Sequence, residues 1–131
     1  PALGATDQHA QVQLFMEGPH DKTVTFLAMA RPAGDVAIPT LHAEHADLAY
    51  LGGRTIFDLL DAERRATAGA LASRGRPNGT LHVPAVDAHH LGELLMFLEY
   101  ATAYAGALYG IDAFDQPGVE LGKKFTFGIF G

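Results

Sequence analysis

The sequence predicts an α/β fold with parallel strands. Two short β-branched runs stand apart from each other, long apolar-periodic helices lie between and after them, and 131 residues are enough for one compact core. Asp7 or Thr6 can cap a first helix over residues 6–17, where Val12, Phe15 and Met16 repeat at helical spacing and Gly18-Pro19 ends the run. Lys22 to Met29 is rich in Val, Thr and Phe and reads as a strand. Residues 30–53 are punctuated by Pro32, Gly34, Pro39 and Gly52-Gly53, with a short helical turn at 43–50.

Thr55 opens the next helix, and Asp58 stands three residues on, as in a capping box. Ile56, Leu59, Leu60, Ala66, Ala70 and Leu71 give it an apolar face, and Gly75 stops it. After a turn at 76–79, Thr80 to Val86 reads as the second strand, with Pro84 marking its end or an edge. Asp87 can cap a helix from 88 to about 109. Leu91, Leu94, Leu95, Leu98, Ala101, Ala105 and Leu108 line one side of it, and Met96, Phe97 and Tyr100 cover much of the other. A helix apolar nearly all round is buried on several sides or lies in an interface. Gly110 closes it, and a last helix begins near Val119. Two strands make too small a sheet to cover so many apolar faces, so further chain, or a second copy, is expected to pack on them.

Composition sets further bounds. The net charge of −6 gives no broad attraction for nucleic acid or an anionic membrane. No stretch is long and apolar enough to span a bilayer and no signal-peptide pattern opens the chain, which makes a cytoplasmic location the expectation. With no cysteine, disulfides and thiolate metal sites are excluded. His42 and His45 are three apart and His89 and His90 are adjacent, but spacing fixes no third ligand, so no metal is expected.

The run Phe114-Asp115-Gln116-Pro117-Gly118-Val119-Glu120-Leu121-Gly122-Lys123 carries the strongest signal. It resembles the glucose-6-phosphate isomerase signature: an aromatic before Asp-Gln, then Gly-Val-Glu, then Lys three residues after the Glu. Thr6-Asp7-Gln8-His9-Ala10-Gln11 is similar to the family's histidine segment, and Gly52-Gly53-Arg54-Thr55 and Glu99-Tyr100-Ala101-Thr102 fall between the two in family order. The resemblance covers essentially all of residues 1–131 as the C-terminal part of such an enzyme. It implies a three-layer α-β-α arrangement around a small, mostly parallel sheet, within an incomplete sugar-isomerase domain that ends in a helical segment.

It also implies a chemistry: interconversion of glucose 6-phosphate and fructose 6-phosphate through ring opening and an enediol(ate), with no metal and no organic cofactor. His9 falls on the ring-opening histidine, Lys123 on the active-site lysine and Gln116 on a substrate-contacting glutamine. The family shares its site across a homodimer, the histidine reaching in from the neighbouring subunit. Residue chemistry agrees. Histidine exchanges protons near neutral pH, and a helix N-terminus disfavours its charged form. Lys123, expected in the first turn of the last helix, suits an anion or a developing oxyanion. Gln116 is a neutral, two-sided hydroxyl reader.

Two of the family's parts are missing. Its carboxylate base belongs to a glycine-rich segment that does not occur here. Its phosphate grip is a Ser/Thr-rich loop, whereas the one serine here, Ser73, sits at a helix end. The chain is therefore expected to be inactive alone, its partner being the missing N-terminal portion. The competing expectation is a stand-alone, non-catalytic module for sugar-phosphate binding or dimerisation.

Overall fold

The computed structural model describes residues 2–30 and 32–130. A π turn, Gln8–Val12, runs into α1, Gln13–Glu17; there follow β1 (Val24–Met29), α2 (Ala46–Ala49), α3 (Ile56–Ser73), β2 (Asn78–Val83), α4 (Ala88–Tyr109) and α5 (Pro117–Phe130). Residues up to His90 and residues from Leu91 onward form two compact units.

In the first unit β1 and β2 pair in parallel, from Val24 opposite Asn78 to Met29 opposite Val83. The fold is α/β, as expected. The second strand differs from the expectation at both ends. Asn78 and Gly79 belong to it rather than to the turn, because their backbones pair with Val24 and Thr25. It stops at Val83, before Pro84, which has no N–H to give to a ladder. Val24, Phe26 and Ala28 turn inward, and Thr25, Leu27 and Met29 lie on the exposed face. Leu71 of α3, 1% exposed, and Ala28, 8% exposed, are the buried hydrophobics among the described residues.

The N-terminus of α3 is closed by its own sequence and by the segment before it. Thr55 Oγ1 accepts from Asp58 N at 3.1 Å while Asp58 Oδ2 accepts from Thr55 N at 3.0 Å, the reciprocal capping box. Two more first-turn donors are satisfied from residues 35 and 36: Phe57 N by the Asp35 carboxylate at 3.1 Å and Ile56 N by the Val36 carbonyl at 2.9 Å. Together with the Ala37–Thr55 bridge and Ile38 N to Arg54 O at 2.8 Å, these bonds pin both ends of the exposed excursion between residues 38 and 54. At its C-terminus, Gly75 takes φ +67° and donates to Ala72 O, while Arg76 N reaches back to Leu71 O. This is the paired-bond Schellman ending that a glycine allows.

Thr6 and Asp7 do not cap the N-terminal helix. No side chain makes the cap bond there, and the Asp7 carboxylate instead accepts from Leu3 N at 2.5 Å. The first five residues of that helix are wound as a π turn rather than an α-helix.

In the second unit α4 ends as α3 does, with Gly110 at φ +68° and Ile111 N bonded to Gly106 O at 3.0 Å. A Cβ on Gly106 would meet the Ala113 side chain at 2.7 Å, so the chain leaving α4 folds back only over a glycine. Asp87 caps the start of α4 by accepting from His90 N at 2.9 Å. The apolar stripe of α4 is largely uncovered: Leu91, Leu95, Leu98 and Leu108 are exposed, as are Met96, Phe97 and Tyr100. In α5, Val119, Leu121, Phe125, Phe127, Ile129 and Phe130 are exposed as well.

Candidate functional site

His9 is the second residue of the π turn and its ring is exposed. The turn is held by Gln8 N to Ala5 O at 3.3 Å and Gln11 N to Asp7 O at 2.9 Å, directly after Ala5 at φ +62°. Single π turns are rare and concentrate at functional sites. The helix signal in the sequence located this element but not its winding, because apolar spacing does not distinguish i−5 from i−4 backbone bonding over five residues.

Gln116 stands immediately before α5. Its N–H donates to the Asp115 carboxylate at 2.7 Å, and its carbonyl accepts from Val119 N at 3.0 Å and Glu120 N at 3.2 Å. Pro117 is therefore the first helical residue, a position where its missing N–H costs nothing and its fixed φ is already helical. This early start moves Lys123 from the expected first turn to the second. The field of the helix end has largely faded there. Gly118 is a helical residue with open space at its Cβ position, so it permits no close approach within this chain.

What the helix does provide is alignment. Gln116 and Lys123 are seven residues apart, within about 20° of each other around the helix and about 10 Å apart along it. Glu120 shares that face, and its carboxylate holds Lys123 Nζ at 2.6 Å, both side chains more than half exposed. Glu120 and Lys123 thus form an ion pair one turn apart on the surface of α5, one turn beyond Gln116. An open cleft of about 320 Å³ in the same unit is lined by Glu99, Thr102, Ala103, Ala113 and Phe114. It brings part of the Glu99–Thr102 segment against the start of the signature run. His9 lies in the first unit, Gln116 and Lys123 in the second.

The other histidines divide. His89 and His90 stack edge to face, centroids 5.2 Å apart, and His90 Nδ1 is engaged by Asp87 at 2.8 Å. His42 and His45, however, converge with Glu44. Spacing alone did not supply that third group.

An α/β chain with a parallel strand pair and a signature helix is thereby defined. Residues 3–130 match the family described as phosphoglucose isomerase, and the chain belongs to that family. Similar curated relatives include the glucose-6-phosphate isomerase of Rubrobacter xylanophilus, 45% identical over 99% of this chain and 30% of the relative. That of Carboxydothermus hydrogenoformans is 49% identical over 99% of this chain and 28% of the relative. A solved structure, described as a hypothetical protein from Thermus thermophilus, superposes with a TM-score of 0.82 at 46% identity, covering all of this chain and 31% of its own. The chain thus spans about 30% of the length of the curated relatives it matches.

Proposed function

We propose that this chain is the C-terminal portion of an aldose–ketose isomerase that interconverts glucose 6-phosphate and fructose 6-phosphate, contributing His9, Gln116 and Lys123 to a site completed by other residues. The reading is carried by the family match over residues 3–130, together with the 45–49% identity to glucose-6-phosphate isomerases.

Burial supports the incompleteness. Parallel sheets are ordinarily covered on both faces, yet Leu27 on one face of β1 is 60% exposed. The apolar residues of α4 and α5 are likewise uncovered, Leu108 and Phe130 at 88% and 86% exposure among them. Additional polypeptide, and a second subunit, account for both. No helix among the described residues is long and apolar enough to cross a membrane, and a cytoplasmic location goes with this reading.

The chemistry divides into two stages. Ring opening transfers a proton to the ring oxygen while the C1 hydroxyl gives one up; an exposed imidazole shuttles both, and His9 takes this role, serving the partner's site in a homodimer. A carboxylate base outside the chain then removes the C2 proton, the C2 hydroxyl gives its own proton up to the C1 oxygen, and the base returns the carbon-bound proton to C1, leaving the carbonyl at C2. The enediolate oxygen carries negative charge between those steps. Lys123 supplies fixed positive charge to it, and Gln116, on the same helix face, binds an adjacent hydroxyl.

The test is an activity assay. The pure chain is expected to show no turnover of glucose 6-phosphate, and mixing with the cognate N-terminal portion to restore it. Turnover by the chain alone, or no recovery with a folded N-terminal portion, overturns the reading. Tight sugar-phosphate binding by the chain alone would favour the module instead.

A further inference from the structure

We propose that His42, Glu44 and His45 form a surface site for a borderline divalent cation such as Zn²⁺, which fixes the turn at residues 42–45. The site is independent of the isomerase reading.

The donor geometry carries this. His42 Nδ1 lies 3.4 Å and His45 Nε2 3.6 Å from the same oxygen, Glu44 Oε1. Both separations are longer than a direct hydrogen bond. They are close to the edge of a tetrahedral zinc site, where ligand bonds of about 2.0–2.2 Å place neighbouring donors about 3.3–3.5 Å apart. All three side chains offer ligand atoms within 4.8 Å of one another. Two imidazoles and one carboxylate are a donor set that zinc accepts, and three protein ligands with one position left to water make an open site. The three side chains are exposed, so that fourth position is available to solvent.

The backbone is shaped to bring them together. His42 takes φ +59°, the left-handed region that non-glycine residues seldom enter, and its carbonyl accepts from His45 N at 2.9 Å. That tight turn sets the two rings 6.1 Å apart, tilted at 47°. On a regular helix the residue two positions after His42 would point away from it; the left-handed turn places Glu44 between the rings instead. The excursion is fastened at its base by the bonds around Thr55 and by Gly53 N, which donates to Ile38 O at 3.1 Å. A cation at its tip would hold the part that no strand or long helix restrains.

Titration of the 131-residue chain with ZnCl₂, followed by calorimetry near neutral pH in a non-coordinating buffer, is expected to show one equivalent bound. His42→Ala and His45→Ala are each expected to weaken binding by about tenfold or more, a loss that removal of even an outer-shell partner can produce. Glu44→Gln weakens it less, and the His89→Ala/His90→Ala double variant leaves it unchanged. Co²⁺ provides a second readout: a visible absorption of four-coordinate intensity, lost in the His42→Ala/His45→Ala double variant. No zinc uptake by the parent chain, or uptake unchanged in that double variant, overturns the proposal.

Discussion

The Arg76 guanidinium closes on the Met16 carbonyl from across the fold, with Nε at 3.0 Å and Nη2 at 2.7 Å, and Nη2 also reaches Gly18 O at 2.8 Å. These carbonyls end α1, the helix that continues the π turn bearing His9. A cation at a helix C-terminus satisfies orphan carbonyls and complements the dipole. His20 Nε2 bonds Gly75 O at 2.8 Å beside it, so the N-terminal segment is fastened to the α3–β2 turn at two points. Arg76→Ala is expected to lower the unfolding free energy by about 1.5–3 kcal/mol, the range for hydrogen bonds to charged groups. Arg76→Lys should recover only part, since an ammonium lacks the planar fork. Denaturant unfolding measures both, and faster amide exchange in α1 than in α3 would locate the effect.

Thr55→Ala removes the Oγ1 acceptor of Asp58 N and should cost about 1 kcal/mol. Asp35→Ala removes the acceptor of Phe57 N at the same helix start. The two losses should not add, because both act on one N-terminus. A double variant whose cost equals the sum within about 0.3 kcal/mol would show that the two caps act independently.

Most features closed by local chemistry were legible in the sequence, the Thr6 or Asp7 cap excepted, since Asp7 bonds back to Leu3 N instead. The Thr55–Asp58 box, the Asp87 cap and the glycine endings at Gly75 and Gly110 each depend on residues within a few positions, and each stands where expected. Features set by pairing were not. Asn78-Gly79 carries turn chemistry, yet parallel bonding to β1 makes it strand. The same holds for the candidate sites. Gln116 and Lys123 were visible as motif residues, but the turn that Lys123 occupies depended on Pro117 opening the helix. The third member of the His42–Glu44–His45 group depended on a left-handed backbone that no spacing rule encodes.

Leu71 and Leu108 make a matched contrast. Leu71 is almost fully buried and Leu108 is 88% exposed. Leu71→Ala should destabilise the chain by about 2–5 kcal/mol through lost burial and the cavity left behind. Leu108→Ala should change stability by less than about 0.5 kcal/mol in this chain. In a complete enzyme that covers α4, the same substitution should cost several-fold more. Equal, small effects in both settings would argue that the α4 stripe stays uncovered.

Asp87 gives the stability a pH dependence with a definite sign. Its carboxylate accepts from the His90 N–H and from the His90 ring, which hold its pKa below the ordinary aspartate value. A group lowered on folding contributes fully above its unfolded value, about 3.9 for aspartate, and the contribution is lost as pH falls from there through the folded value. Asp87→Asn should therefore flatten the acid limb of the stability profile and leave its neutral region less stable. Asp35 is also lowered, by the Thr55 hydroxyl first and then by the Phe57 and Val36 N–H groups, and adds a second component of the same sign. Thermal unfolding between about pH 3 and 7, a range that brackets the carboxylate values, measures both. An unchanged acid limb in Asp87→Asn would remove the cap as its cause.

The roles proposed for His9 and Lys123 are separable by substrate. In the complete enzyme, His9→Ala should slow reaction of the cyclic sugar by about 10²–10⁴, the usual worth of a positioned acid–base group, and affect an open-chain substrate far less. Lys123→Ala should slow both forms alike, because the enediolate charge arises after the ring has opened. Glu120→Gln frees the ammonium from the carboxylate that holds it at 2.6 Å. If that contact positions Lys123, kcat should fall while KM changes little, because an interaction realised only in the transition state is weakened. Equal losses of cyclic and open-chain turnover in His9→Ala would take the ring-opening role away from the π turn and leave Lys123 and Gln116 as the chain's part in the reaction.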